Sequence, residues 1–247
     1  MAAIVPGPAA RVQPQFCARS LGIDKNAARA HVIGPMAKTS LTPAEVKEML
    51  LLVAERIIAS EPALSEADRN LGDGDHGLGM QRGLTAAREK LQALPADAAI
   101  GTLFSTVGMA MISSMGGASG AIFGTLFRDG GKALAGKETF ASEELAAFLQ
   151  AACEGVMTRG KAKPGDKTMI DALHPAAEAA AAHAGAPLPE AIAAADAGAE
   201  AGKEASKNHI AVFGRARSLG ESAIGFPDAG ALSVTVILSA MRDYIQG

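Results

Sequence analysis

Apolar residues recur at intervals of three and four positions along most of the chain, and this spacing constrains the fold more than any other feature. Between residues 43 and 59, Val46, Met49, Leu50, Val53 and Ile57 lie on one face of an α-helix. Hydrophobic residues make up 49% of the chain but aromatic residues only 4%, and much of the apolar content is alanine. Because alanine favours helices, whereas strands are enriched in β-branched and aromatic residues, we predict an all-α fold.

The same spacing predicts a barrel or bundle of about eight amphipathic helices with short connections. The predicted helices cover residues 43–59, 80–92, 98–114, 121–135, 142–159, 166–183, 188–206 and 229–245. The first has a clear start signal at 42–45, where threonine can cap, proline suits the first helical position and glutamate can reach back to the cap. The run 233–238 resembles a strand only when it is read alone.

Residues 1–39 differ from the rest of the chain. They are rich in arginine, lysine and proline, poor in acidic residues, and follow no helical period. We interpret them as a disordered or non-native extension, with Met36 as an alternative start. A transit peptide is the other interpretation of this composition, although the segment has few serines. A single domain is predicted over residues 40–247.

Charge, cysteine content and hydropathy exclude several classes of protein. The net charge of -3 gives no basic surface for nucleic acid. Cys17 and Cys153 do not form a disulfide framework in a chain of this length, and a reducing cytoplasm is expected. The uncharged run 101–124 is long enough to span a bilayer, but its glycines and serines favour two buried helices joined by a loop. We therefore expect no membrane segment.

The most informative motif is the acidic, glycine-rich segment 68–77, which contains Asp68, Asp73 and Asp75. Clustered carboxylates just before a helix suit Mg²⁺, which binds a few carboxylates together with substrate phosphates. A turn with a helix cap is the alternative interpretation. A Rossmann fingerprint is excluded because no strand precedes the glycines. An EF-hand is excluded because Leu84 stands where its bidentate glutamate should be.

Three further segments carry glycine at the start of a helix. The loop 115–121 could bind an anion through its backbone N–H groups, or simply allow close helix packing. Residues 160–168 approach a Walker A loop, but Asp166 breaks the pattern and is instead a candidate helix cap. In the segment 214–231, Arg215 could pair with a phosphate, or be an ordinary surface residue.

Together, these four segments resemble the nucleotide-binding L subunit of dihydroxyacetone kinases and the equivalent domain of the single-chain enzymes. The order of GDGDHG, GGASG, GDKTM-x-DAL and GRA-x-x-LGE-x-x-IG-x-x-D-x-G is the same, and the resemblance covers residues 40–247. It implies an all-α barrel of antiparallel helices with ADP or ATP and two Mg²⁺ ions at one end.

The resemblance also implies a set of site residues. The metal ligands would be Asp68, Asp73 and Asp75. The nucleotide contacts would be His76, Gly77, Leu78, Gly79, Ala118, Ser119, Gly165, His174, Arg215, Asp228, Ala229 and Gly230. The family often has tyrosine, arginine, histidine and proline where this chain has Ser218, Ser222, Phe226 and Ala229, which leaves partner choice and nucleotide exchange open.

By the same resemblance, the chain would transfer the γ-phosphoryl of Mg-ATP to a short ketose held on a separate K subunit. ATP could exchange normally, or tightly held ADP could be rephosphorylated in place by the M subunit of a phosphoenolpyruvate-dependent phosphotransferase. A homodimer is a further expected assembly. The alternatives are a fatty-acid-kinase-like nucleotide domain, an ADP-loaded module that acts on a transcriptional regulator, and a structural helical protein with fortuitous aspartates.

Overall fold

Nine α-helices and one 3-10 helix make up most of residues 37–247, which are the residues described by this computed structural model. The α-helices are α1 Pro43–Ala59, α2 Glu61–Arg69, α3 His76–Ala93, α4 Ile100–Ser114, α5 Gly117–Ala133, α6 Ser142–Gly160, α7 Ile170–Ala182, α8 Leu188–Ser206 and α9 Ala229–Gln246. The 3-10 helix is Arg215–Ala223. Within these residues the only β pairing is a bridge between Leu41 and Phe140, so the predicted all-α class is confirmed.

Eight of the helices form a closed ring. Each helix from α3 to α8 packs against the next one in the chain, and α1 closes the ring by packing against both α9 and α3. The remaining helix, α2, packs mainly against α3. Because short connections join the packed neighbours from α3 to α8, these successive helices run antiparallel. The longer connection 207–228 leaves α8 and enters α9 at the same end of the ring as the starts of α3, α5 and α7. The predicted barrel of eight helices is therefore present.

This antiparallel order brings alternate connections to the same end of the barrel. The connections that precede α3, α5, α7 and α9 are residues 70–75, 115–116, 161–169 and 207–228. The four motifs of the sequence fall on these four connections and on the first turns of the helices that follow them. The ring thus gathers at one end four segments that are far apart in the chain.

Small residues allow the helices to pack closely. A Cβ atom added to Gly108 of α4 would lie 2.6 Å from the carbonyl oxygen of Gly124 in α5, so the two backbones are in contact there. Larger side chains fill the barrel, where the ring of Phe104 lies 4.5 Å from that of Phe148 and 5.8 Å from that of Phe140. This packing explains why a chain rich in alanine and glycine builds a core with few aromatic residues.

Several predicted helix bounds agree with the structure and others need correction. The start of α1 is confirmed: Thr42 accepts a hydrogen bond from the Glu45 N–H, and the Glu45 carboxylate accepts one from the Thr42 N–H. Helix α3 begins at His76 rather than at 80, and α5 begins at Gly117 rather than at 121. Helix α2 was not predicted, because its sequence is mostly polar and only Leu64 and Ser65 are buried.

Helix α7 begins at Ile170, so the prediction that Asp166 caps it is wrong. The Asp166 carboxylate instead accepts a hydrogen bond from the Lys163 N–H within the preceding connection, at 2.9 Å. Gly165 has a φ of +94°, a backbone conformation outside the helical region, which explains why the helix starts later than its pattern indicates.

The remaining predictions concern the chain start and the membrane. The proposed N-terminal extension, residues 1–39, lies almost entirely outside the described residues. Within residues 37–247, no helix is both long enough and apolar enough to cross a bilayer. The uncharged run 101–124 is divided between α4 and α5 by a turn at 115–116, as predicted.

Candidate functional site

A cleft of about 540 Å³ opens at the end of the barrel where the four connections meet. Residues from all four connections and from the helix starts beside them line it. The lining residues are Asp68, Leu71, Asp73, Asp75, His76, Gly79, Arg82, Met115, Gly116, Gly117, Ala118, Ser119, Ile122, Phe123, Lys167, Thr168, Met169, Phe213, Gly214, Arg215, Ala216, Asp228, Ala229 and Gly230.

Three carboxylates form a cluster at this cleft. One oxygen from each of Asp68, Asp73 and Asp75 lies within 4.8 Å of the others, and Asp73 and Asp75 are exposed. Gly74 between them has a φ of +75°, which a residue with a side chain rarely adopts. Carboxylate oxygens are the ligands that Mg²⁺ prefers, so the donor set fits a magnesium site.

Arg215 lies directly across from these carboxylates. It is the first residue of the 3-10 helix, and its guanidinium forms an ion pair with Asp73. The same Nη1 atom lies 3.7 Å from a carboxylate oxygen of Asp75. The arginine that could bind a phosphate group is therefore placed beside the carboxylates that could bind the Mg²⁺ accompanying that phosphate.

The N-terminus of α5 also faces the cleft. Gly116 and Gly117 have φ values of +76° and +62°, and no side chain caps the helix. The first N–H groups of an α-helix have no partner within the helix, so those of the first turn, including Ala118 and Ser119, are available to an anion. The glycine-rich loop therefore lies at a helix start in the cleft, and anion binding there stays a prediction.

Asp228 stands at the start of α9 and caps it. Its carboxylate accepts a hydrogen bond from the Ala231 N–H at 2.8 Å. Burial raises the pKa of Asp228 to about 7, because removal from water disfavours the charged form. Lys167 and the capping N–H groups oppose this increase.

His76 is the first residue of α3, and its ring is buried against α9. The ring nitrogen Nε2 lies 2.8 Å from the Ser233 hydroxyl, which itself donates to the Ala229 carbonyl oxygen. That hydroxyl has only one hydrogen, which assigns the imidazole hydrogen to Nε2. Burial lowers the pKa of His76, so the ring is neutral at neutral pH and fastens α3 to α9.

The connection 161–169 is shaped by a carboxylate on α7. Asp171 accepts hydrogen bonds from the backbone N–H groups of Gly165 at 2.6 Å and Thr168 at 2.7 Å. Lys167 between them has a φ of +58° and a side chain that is only 2% exposed. Asp171 thus fixes the loop that brings Lys167 to the cleft.

Most of the predicted site residues lie together around the cleft, but four do not line it. Gly77 faces α2, where an added Cβ would lie 2.7 Å from the Ser65 nitrogen. Leu78 is exposed. Gly165 lies in the connection held by Asp171, and His174 lies one turn into α7, where its Nδ1 is 3.3 Å from a Glu178 carboxylate oxygen.

The cleft also contains residues that the sequence reasoning did not select. Arg82 lies six residues after His76, on the same face of α3 as Gly79, and donates a hydrogen bond to the Met115 carbonyl oxygen at 3.1 Å. Its helical spacing could have identified it. No sequence pattern identifies Lys167 as a cleft residue, because its position depends on how the connection around it folds.

Comparison with known proteins places these features in a family. Residues 70–243 match the DAK2 domain. Over 204 residues, the chain is 37% identical to the PEP-dependent dihydroxyacetone kinase ADP-binding subunit DhaL of Escherichia coli, covering 82% of this chain and 97% of that protein. It is 39% identical over 188 residues to the L-erythrulose kinase of Pectobacterium atrosepticum, covering 75% of this chain and 32% of that protein.

The fold is similar to that of a solved kinase. The dihydroxyacetone kinase from C. freundii, solved in complex with AMP-PNP and Mg²⁺, matches with a TM-score of 0.63 and 27% identity. The match covers 94% of this chain and 38% of that one. The chain therefore spans nearly the whole length of the E. coli subunit but only about a third of the two longer kinases.

Proposed function

The chain belongs to the DAK2 domain family, together with the ADP-binding subunits of dihydroxyacetone kinases, and we propose that it is the phosphoryl-donor subunit of a kinase acting on a short ketose. The observation that carries this proposal is the position of Asp68, Asp73 and Asp75 opposite Arg215 in one cleft. Carboxylates for cations and a guanidinium for phosphate are the groups that phosphoryl transfer requires.

The three aspartates would hold two Mg²⁺ ions, which neutralise charge on the nucleotide phosphates when bound. Arg215 would then exchange its ion pair with Asp73 for a phosphate oxygen, and the N–H groups of the first turn of α5 would bind another. The proposed role of Asp228 and of neutral His76 is to hold the starts of α9 and α3 in place around the nucleotide.

The ketose would be held by a partner K subunit. In residues 37–247 most of the large apolar side chains that are exposed lie in the connection 207–228, beside the cleft. They are Ile210, Val212, Phe213, Leu219, Ile224 and Phe226. Exposed apolar patches mark protein interfaces, so this surface supports a partner that docks over the cleft.

Two routes of phosphate supply are part of the proposal. In one route, bound ADP is rephosphorylated in place by an M subunit, which is supported by relatives whose names describe ADP-binding subunits of PEP-dependent kinases. In the other route, ATP binds and exchanges directly at the cleft. The relative named L-erythrulose kinase supports erythrulose as a substrate, and the relative named triokinase supports a triose. The sequence identity to the PEP-dependent subunits is similar to the identity to the L-erythrulose kinase, so the experiments below distinguish the substrates and the routes.

Native mass spectrometry of the purified protein, with and without a chelator, tests the nucleotide site. Retained ADP with two metal ions supports the route through an M subunit, whereas an empty protein that binds Mg-ATP reversibly supports direct exchange. A protein that binds neither nucleotide contradicts the proposal.

A coupled assay tests transfer. The protein is mixed with a K subunit loaded with dihydroxyacetone or erythrulose, together with Mg-ATP or with the phosphotransferase components, and sugar phosphate is measured. Nucleotide binding without sugar phosphate would contradict the kinase role and support a module that acts on a regulator.

A further inference from the structure

Lys167 ties together the two ends of the connection 207–228. Its side chain is 2% exposed, and its Nζ atom donates hydrogen bonds of 2.7 Å to the carbonyl oxygens of Ser206 and Phe226. Ser206 is the last residue of α8, directly before the connection, and Phe226 lies two residues before the α9 cap. One ammonium group therefore joins the point where the chain leaves the barrel to the point where it returns.

Other hydrogen bonds of the connection are also near its ends. The Gly225 N–H donates to the Lys207 carbonyl oxygen at 2.8 Å, and the Val212 N–H donates to the Asp166 carbonyl oxygen at 3.2 Å. In the described residues 37–247, the only hydrogen bonds or ion pairs between the middle part of the connection, residues 213–224, and the barrel are those of Arg215. The position of Arg215 therefore depends on how firmly the ends are held.

The backbone at Lys167 indicates that its side chain is required. A φ of +58° lies in the left-handed region, which is unfavourable for a residue with a Cβ and suits glycine or asparagine. The side chain is also buried as a cation, with the carboxylates of Asp228 and Asp171 nearby to offset that cost. Strain and buried charge in one residue point to a role beyond packing.

We propose that Lys167 is a positioning residue that holds the connection 207–228 against the barrel and thereby keeps Arg215 at the phosphate end of the cleft. This inference rests on the proposed function, because it assumes that the cleft binds a nucleotide. Lys167 acts through Arg215, so its loss speeds nucleotide release without removing a metal ligand.

The test compares Lys167→Met with the wild type and with Lys163→Met, a control at an exposed lysine of the same connection. Release of a fluorescent ADP analogue in the presence of Mg²⁺ is followed by stopped flow. We expect release from Lys167→Met to be faster by about tenfold or more, because two hydrogen bonds to a charged donor are lost, and release from Lys163→Met to be unchanged. Equal release from Lys167→Met and the wild type overturns the inference.

A double variant separates positioning from general destabilisation. If Lys167 acts through Arg215, Lys167→Met combined with Arg215→Ala releases the analogue no faster than Arg215→Ala alone. Multiplicative effects of the two substitutions contradict the proposed role. If Lys167→Met does not fold, Lys167→Gln, which keeps a donor group, is measured by the same criteria. A wild type that does not bind the analogue defeats the proposed function itself.

Discussion

The Asp68 carboxylate accepts a hydrogen bond from the backbone N–H of His76, with Oδ2 3.2 Å from the nitrogen. This contact joins the end of α2 to the first turn of α3 and closes the loop that carries Asp73 and Asp75. Asp68 therefore has two separable contributions, a negative charge for a cation and an acceptor that shapes the loop.

These contributions predict different results for two substitutions of Asp68. Asp68→Asn keeps an acceptor but loses the charge, so Mg²⁺-dependent ADP binding weakens while the melting temperature stays near that of the wild type. Asp68→Ala also loses the acceptor, so its free energy of unfolding is lower than that of the wild type by about 1 kcal/mol. Calorimetric titration and thermal unfolding measure the two effects, with Glu66→Gln as a control at an exposed acid of α2. Identical stabilities of the two Asp68 variants would contradict the loop-shaping role.

Arg215 should compete with cations for Asp73. In Arg215→Ala the ion pair is lost, so Mn²⁺ or Mg²⁺ binds the nucleotide-free protein more tightly, while Mg-ADP binds less tightly by about tenfold or more because a phosphate contact is missing. Metal titration and nucleotide titration check the opposite signs. Arg217→Ala, at an exposed arginine outside the cleft, is the matched control. Weaker metal binding in Arg215→Ala would refute this competition.

Asp171 is predicted to stabilise the connection 161–169. Asp171→Ala leaves the N–H groups of Gly165 and Thr168 without their acceptor, at a cost of about 2–4 kcal/mol for two charge-assisted hydrogen bonds. Chemical unfolding measures the loss, and Glu178→Ala on the exposed face of the same helix is the control. A loss in Asp171→Ala no larger than in the control would rule out this role.

The raised pKa of Asp228 predicts a pH-dependent stability in the nucleotide-free protein. Because the folded pKa of about 7 lies above the ordinary aspartate value of 3.8, the contribution of Asp228 to stability is present at low pH and is lost as the pH rises towards 7. Asp228→Asn keeps the capping oxygen but cannot ionise. Its free energy of unfolding should rise relative to the wild type between pH 4 and pH 7, by about 1.4 kcal/mol for each unit of pKa shift. A difference that does not change with pH would contradict this assignment.

Close packing between α7 and α8 predicts a large effect at Gly202. An added Cβ would overlap the carbonyl oxygen of Asp171, so Gly202→Ala forces the two helices apart and destabilises the protein by about 1–3 kcal/mol. Gly185→Ala is the control, since nothing lies within 4 Å of its Cβ position. Thermal unfolding distinguishes them, and equal melting temperatures would show that the helices separate without cost.

The parts of the fold with strong apolar periodicity were predictable from the sequence. The predicted bounds of α1 and α8 match the structure, whereas α2 was missed because its polar sequence gives a weak periodic signal and it depends on packing against α3. The same limit applies to the site. Its aspartates stand within one short motif, but Lys167 acquires its partners only through the carbonyl groups of two distant segments.

The ring of helices closes between α1 and α9, which are the first and last helices of the described chain. Asp68 lies in α2, whereas Asp228 and Arg215 directly precede α9 or lie in the connection that leads to it. A nascent chain in which α9 is still inside the ribosome therefore carries the three clustered aspartates but lacks the side of the cleft that Asp228, Ala229 and Gly230 supply. A ligand that binds this cleft therefore stabilises only those chains in which α9 has packed between α8 and α1.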